Sequence, residues 1–255
     1  MNKKKIIVTG GSRGIGKSIV KKFLENGNEV AYFSQNLKNL EESKKEFDMI
    51  SQKSYSFCVN AINQGEVEKF FDDVLKLFGT VDVLVNNVGG GGRWGNEIYE
   101  NTPFATWDEV FNKNTKVAYT LIMKALPFMR EKKWGRVITI SSILGKEGGG
   151  RPWFTMSKAA QIAIMKSLSK TSYLVKDNIT FNTIAPGAIM TENAGWDKMK
   201  KENPNEYKNF VNNLPMGKLG VPEDVANLTF FLASEEAKHI NGSCITVDGG
   251  ETNSF

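Results

Sequence analysis

The sequence predicts an α/β fold of three layers, α/β/α, built around a doubly wound parallel sheet. Two observations predict it. Short, nearly continuous apolar runs alternate with amphipathic helical stretches about every 20 to 30 residues, a rhythm that calls for right-handed crossovers and helices on both sheet faces. The first run is broken by a glycine-rich turn that opens directly into a helix, where a parallel α/β sheet presents a ligand site. At 255 residues the chain is long enough to bury one full core, so a single domain over residues 1–255 is the expected organisation.

The elements follow in order. Lys5 to Thr9 is a short apolar strand, interrupted by Gly10-Gly11-Ser12-Arg13-Gly14-Ile15-Gly16, after which Ile19, Val20, Phe23 and Leu24 recur at helical spacing. Glycines there let backbone approach a pyrophosphate, and the helix start offers unpaired N–H groups and a positive dipole end. Glu29 to Ser34 is a second strand, Leu37 to Ile50 a helix and Tyr55 to Val59 a third strand. Val67 to Phe78 is a helix feeding the strand Val81 to Val85, which ends at Asn86-Asn87-Val88-Gly89. Trp134 to Ser142 is a buried strand that delivers hydroxyls at its end. A glycine turn at Gly148 to Gly150 follows, then a helix carrying Phe154 and Lys158 four residues apart and so on one face. Pro222-Glu223-Asp224 starts a late helix with proline and acids at its N-terminus, and Cys244 to Val247 is the closing strand.

Composition narrows the function classes. The net charge is +5, but lysines interleave with acids, which describes a solvated surface rather than a nucleic-acid stripe. No apolar run approaches the roughly 18 to 20 residues of a bilayer span, and Met1-Asn2-Lys3-Lys4 passes straight into a strand, so a cytoplasmic protein without membrane partners is expected. Cys58 and Cys244 lie in apolar runs without metal-type spacing and read as free, buried thiols. The single histidine, His239, sits near a turn and reads as structural; no metal site is expected.

Thr9-Gly10-x-x-x-Gly14-Ile15-Gly16, Asn86-Asn87-Val88-Gly89, Asn114 within a helix, Ile140-Ser141-Ser142, Asn182-x-x-Ala185-Pro186-Gly187-x-Ile189-x-Thr191, and Phe231-Leu232-Ala233-Ser234 through Val247-Asp248-Gly249-Gly250 together resemble the short-chain dehydrogenase/reductase family. The resemblance runs from about residue 5 to residue 250, with the motifs in register. It implies a Rossmann-like fold, a nicotinamide dinucleotide cofactor, a small-molecule substrate and a homo-oligomer, tetramer or dimer, paired through the final elements. It also implies that Gly10, Gly14, Ile15 and Gly16 hold the pyrophosphate, that Ser12 and Arg13 of the same turn bind the cofactor, that Asn60 faces adenine, and that Asn86 and Gly89 form the cofactor-side turn. Lys158, Pro186 and Gly187 would bind the cofactor as well, and Ile189 with Thr191 would clamp the nicotinamide amide. An acid at the end of the second strand would select NAD; this chain has Ser34-Gln35 there with Arg13 nearby, so NADP is expected and NAD is the alternative.

For catalysis the resemblance implies a serine that orients substrate, an asparagine in a water relay, and a lysine that lowers the pKa of a tyrosine, about 10 in water. Ser142, Asn114 and Lys158 match; Phe154 stands at the tyrosine position. The segment from Ser142 to Phe154 is one residue short, which keeps Ser141 in play, and the enoyl-reductase tyrosine position holds Arg151. Three readings stand. Phe154 was introduced into a tyrosine-bearing parent; or it is native and Ser142, Thr155, Lys158 or a water carries the proton; or the chain binds nucleotide without redox catalysis, a lyase or epimerase with Lys158 as base lying between. Residues 191–215 read as a substrate-covering lid. Arg93, Trp94, Arg151, Trp153 and Trp196 are expected to flank the cleft, which suits an anionic or nucleotide-linked sugar, and Met156, Ile162, Ile164, Met165 and Leu168 to be core.

Overall fold

The computed structural model describes residues 3–254; Met1, Asn2 and Phe255 lie outside them, and with them the start of the Met1-Asn2-Lys3-Lys4 stretch. Seven parallel strands form one sheet in the order β3-β2-β1-β4-β5-β6-β7. They are β1 (Lys5–Thr9), β2 (Glu29–Ser34), β3 (Ser54–Cys58), β4 (Val83–Asn86), β5 (Gly135–Ile140), β6 (Ile179–Pro186) and β7 (Cys244–Val247). The strand order reverses direction between β1 and β4, which opens a crevice beyond their carboxyl ends.

Helices α1 (Gly14–Glu25), α2 (Leu37–Ile50) and α3 (Gln64–Phe78) make the first crossovers. Next come α4 (Phe104–Phe111), α5 (Val117–Glu131), α6 (Pro152–Ser169) and the short α7 (Ser172–Lys176). The chain finishes with α8 (Gly195–Glu202), α9 (Pro204–Asn213) and α10 (Pro222–Leu232). Local chemistry explains several boundaries. α3 starts three residues earlier than its apolar pattern because Asn63 caps it, its Oδ1 accepting from the Glu66 N–H at 3.3 Å. It ends at Gly79, whose φ of 70° only glycine takes easily. At α10 the Asp224 carboxylate reaches back to accept the Val221 N–H at 2.9 Å. Strand β4 begins after Asp82, whose carboxylate accepts the Lys5 N–H at 2.7 Å and pairs with Lys132.

Two apolar layers sandwich the sheet. On one side Phe33, Phe70, Phe71, Leu121 and Phe181 pack together, and on the other Ile6, Ile19, Tyr32, Phe47 and Ile138. Three expectations are corrected here. Cys58 ends the edge strand β3 with its side chain exposed, and Cys244 is half-buried on the opposite edge strand, where burial pushes its thiol pKa up; edge strands lack a neighbour on one side. Met156 is 43% exposed, because the apolar face of α6 points the other way, through Met165. No helix among the described residues is long and apolar enough to cross a membrane.

The glycine turn after β1 is secured by one hydroxyl. Thr9 Oγ1 accepts the N–H groups of Asn87 and Val88, both at 2.8 Å, and so ties the end of β1 to the end of β4. Thr9→Val keeps the shape but strands two backbone donors, each worth about 1–3 kcal/mol when buried. A loss of about 2–4 kcal/mol in urea unfolding is the expected outcome, whereas an unchanged midpoint would show that water reaches both donors.

Candidate active site

A groove of about 550 Å³ opens at the carboxyl ends of β1, β2 and β4. Its walls include Gly10, Ser12, Arg13, Gly14, Ile15 and Gly16 of the turn, together with Phe33, Ser34, Gly89 and Thr191. The fit to a dinucleotide rests on space. A Cβ on Gly16 would sit 2.1 Å from Gly10 O and 2.4 Å from Asn87 Nδ2, and Gly10 and Gly14 have φ of 68° and 52°. A turn this tight presents bare backbone N–H groups at the start of α1, the arrangement that accepts a diphosphate. Thr191 lies against it, since a Cβ on Gly14 would touch Thr191 Cγ2 at 2.7 Å.

Other expected cofactor residues are placed less directly. Asn86 is buried, with Nδ2 at 3.4 Å from Thr139 Oγ1 and its Oδ1 without a partner; the neighbouring Asn87 is the one at the groove, donating to Thr9 O and Gly10 O at 2.9 and 3.1 Å. The Asn60 side chain turns back to accept the Ile62 N–H, while Val59 and Ala61 line the groove. Pro186 ends β6 and Ile189 is core, bridged to Gly220. Gly187 leaves room for Glu251, whose carboxylate accepts the Ala188 N–H at 2.6 Å and is raised in pKa by burial. Gln35, Asn36, Asn39 and Lys113 also border the groove. Only Gln35 has a position in the chain that marks it beforehand; the others depend on how the helices dock.

The second half of the site is built on Asn114. Between α4 and α5 the helix widens into a π-turn over Asn112–Lys116. The cause is the Asn114 side chain, whose Nδ2 donates to Val110 O at 2.7 Å and so takes the carbonyl that the Asn114 backbone N–H would use in an α-helix. The same amide pairs with Gly90, donating to its oxygen at 2.8 Å and accepting its N–H at 3.2 Å. Gly89 must be glycine here, because a Cβ would lie 2.6 Å from Asn114 Oδ1 and 3.2 Å from Lys158 Nζ.

Lys158 is buried, and its Nζ donates to Ile140 O at 3.0 Å and Gln161 Oε1 at 3.2 Å. Gln161 in turn donates to Asn114 O at 2.7 Å, so it bridges the lysine and the π-turn. Sequence reasoning missed this residue, although its position three residues after Lys158 on a helix is the available signal. Burial pushes the Lys158 amine down to about 7, against the pull of two neutral acceptors that favour the ammonium form. Phe154 presents its ring 5.7 Å from Lys158 Nζ and rests against Gly92. It has no proton to give.

The two serines separate cleanly. Ser141 is buried and donates to Lys158 O at 2.9 Å, holding α6 onto β5, whereas Ser142 is half-buried and accepts the Leu144 N–H at 3.2 Å, which leaves its own proton free for a ligand. Trp153 is corrected: it does not face the cleft but is fully buried, donating to Gly91 O at 3.3 Å and packing edge-on against Trp107 and Tyr99. Arg93 donates to Gly195 O at 3.0 Å and lies over Trp196, which stacks on Phe210 at 4.1 Å. Arg151 donates to Asn96 O and pairs with Glu97. Among the described residues no cluster of acids, histidines or cysteines is arranged to hold a metal ion.

Sheet order, glycine turn and groove are those of a dinucleotide-binding α/β protein, with a buried lysine behind Gly89. The chain belongs to the short-chain dehydrogenase/reductase family, a class of NAD(P)-dependent oxidoreductases. Residues 10–252 match the family model described as enoyl-(acyl carrier protein) reductase. The chain is 32% identical over 251 residues to the 3-oxoacyl-(acyl-carrier-protein) reductase FabG of Staphylococcus aureus, covering 97% of each, and 30% identical over 246 residues to the Aquifex aeolicus FabG, covering 96% and 95%. Among solved structures it is similar to YwfH, an NADPH-dependent reductase involved in bacilysin biosynthesis, with 30% identity, a TM-score of 0.90 and 100% of each chain covered. It is also similar to a 7α-hydroxysteroid dehydrogenase complexed with NADH and 7-oxo glycochenodeoxycholic acid, at 28% identity and a TM-score of 0.86 over 98% and 95% of the chains.

The lysine carries a measurable signature. Between pH 7 and the ordinary value of 10.5 the unfolded chain keeps a proton on Lys158 that the folded chain has released, so this group's contribution to stability rises with pH across that window and is lost as pH falls toward 7. The slope approaches about 1.4 kcal/mol per pH unit. Urea unfolding at several pH values should show that slope in the native chain and lose it in Lys158→Met; parallel profiles would place the amine in contact with water.

Proposed function

We propose that this chain is an NADP-linked reductase or dehydrogenase that interconverts a hydroxyl and a carbonyl on a small, anionic or nucleotide-linked sugar, with proton transfer centred on Lys158. The observation that carries this reading is the Lys158 amine, buried beside Gly89 with only neutral acceptors and brought to about 7, next to a Phe154 ring that stands where the family uses tyrosine. NADP, when bound, supplies or accepts the hydride. Ser142 orients the substrate oxygen through its free hydroxyl proton. Lys158 holds a proton near neutrality and exchanges it with the substrate oxygen directly or through a water. Asn114 and Gln161 fix the lysine from behind. Omitting the tyrosine lowers the rate by about 10² to 10⁴ without forbidding the reaction.

The preference for NADP is supported by the end of β2, where Ser34 and Gln35 offer no carboxylate to repel a 2′-phosphate, and by Arg13 in the groove wall. YwfH is NADPH-dependent by its description, while the 7α-hydroxysteroid dehydrogenase holds NADH, so relatives of similar likeness use both. Residues 191–215 act as a cover within a single domain, supported by the Arg93 tie to Gly195. Pairing into a dimer or tetramer through the final elements is supported by the open edge of β7 and by Met216, Val221 and Phe231, which are 60%, 44% and 43% exposed. A cytoplasmic location is supported by the two free thiols. A second reading, lyase or epimerase chemistry with Lys158 as base, is favoured by the same lowered pKa.

Phe154→Tyr decides between these. Under the redox reading the substitution raises NADPH-dependent turnover by about 10²-fold in a screen of carbonyl and alcohol substrates. NADPH binding with no turnover in either form sinks that reading and leaves the non-redox one. For cofactor choice, Arg13→Ala should lower affinity for NADPH about 10-fold and leave NADH nearly unchanged; equal effects on both would contradict the 2′-phosphate assignment.

A further inference from the structure

Lys113 carries a charge that the fold does not neutralise. It belongs to the π-turn, immediately before Asn114, and lines the dinucleotide groove. Its Nζ lies 4.7 Å from the Trp94 ring centroid, with Gly90 alongside. Among the described residues it forms no ion pair, and neither does Arg13. The charges that act on it are Glu109, one helical turn back on α4, and Arg13 of the glycine turn. Burial lowers the Lys113 pKa; the Glu109 carboxylate opposes that shift, and the positive charge of Arg13 adds to it.

The groove as a whole is one-sided. Lys113 and Arg13 are its charged lining residues, and no aspartate or glutamate lines it. The adjoining groove between α1, α2 and α10, which Arg13 also borders, is balanced: Glu42, Glu46, Glu192 and Glu223 line it beside Lys17 and Lys21, and Lys17 pairs with Glu46 at 2.5 Å. A net charge of +5 spread over balanced patches does not account for two unpaired cations in one half-enclosed groove. Partly desolvated like charges raise the energy of the ligand-free protein, and an anion between them removes that cost.

We propose that Lys113 is a second cationic anchor for the phosphates of the dinucleotide, acting together with Arg13. This inference rests on the cofactor reading given above and adds a residue to it. Phosphate of the cofactor is favoured over a substrate anion because Lys113 shares its cavity with Gly10 to Gly16 and with Phe33 to Asn36. The arginines on the substrate side, Arg93 and Arg151, are already engaged with Gly195 O and Asn96 O. A lysine suits the task as a point charge on a flexible stem, and the Trp94 face restricts where that stem can swing.

The test is equilibrium binding of NADPH and NADH, followed by calorimetry at low and high salt, for the native chain, Lys113→Met, Lys113→Gln and Lys113→Arg. Loss of the charge should weaken binding about 10-fold and flatten its salt dependence, while Lys113→Arg retains most of the affinity. Equal losses for both dinucleotides assign the lysine to the diphosphate, and a loss confined to NADPH assigns it to the 2′-phosphate; each supports the anchor. Unchanged dissociation constants for both, with the native chain binding normally, overturn it and leave a lysine that serves the substrate or solvent. Failure of the native chain to bind either dinucleotide overturns the cofactor reading and this inference with it. Ligand-free thermal midpoints of Lys113→Met and Lys113→Gln should be no lower than that of the native chain, because each removes a desolvated charge; a drop in both would mark the lysine as structural and overturn the anchor.

Discussion

The site depends on one amide. The Asn114 side chain breaks the helical ladder at Val110 and holds the backbone of Gly90, while the Asn114 carbonyl receives Gln161, which holds Lys158. Three segments, α4, the turn at Gly90 and α6, are thus joined through one residue's side chain and carbonyl. Its burial is complete, so each hydrogen bond operates in a low-dielectric setting where an unmet partner is costly. The π-turn is the geometric consequence, and Lys113 reaches the groove as part of that turn.

Two lysines answer burial differently. Lys158 is enclosed, with acceptors but no carboxylate, and relieves the cost of its charge by giving up the proton near neutrality. Lys113 is half-buried at a groove wall and faces an aromatic ring. The first arrangement suits proton exchange and the second suits holding an anion. Lys113 lines the groove that Gly89 also borders, and Lys158 lies behind Gly89.

Much of the fold was legible because its signals are local. The strand bounds at Lys5–Thr9, Glu29–Ser34 and Cys244–Val247 follow from apolar runs ended by turn residues, and the helix over Leu37–Ile50 follows from its period. Polar capping is what moved the start of α3, since Asn63 lies outside the apolar pattern. In the candidate site, the sequence pattern picked out the glycines that the structure places in the groove wall, and Lys158, which it buries behind Gly89. It was not legible where tertiary docking decides. Trp153 has the composition of a cleft residue but is drawn inward by Trp107, Tyr99 and an indole hydrogen bond to Gly91. Cys58 sits in a strand run, yet the strand is an edge and its face is open. Gln161 and Lys113 carry no motif, and their roles exist only once α6 and the π-turn are in place.

Helices α8 and α9 bury no residue. The ties described for them are the Arg93 hydrogen bond to Gly195 and the stacking of Trp196 on Phe210, the second lying within the segment itself. Because the sheet and its two apolar layers owe nothing to this segment, its amides can open far below the free energy of global unfolding. Its length and composition are also free to diverge in evolution without jeopardising the fold, because α8 and α9 contribute nothing to either apolar layer.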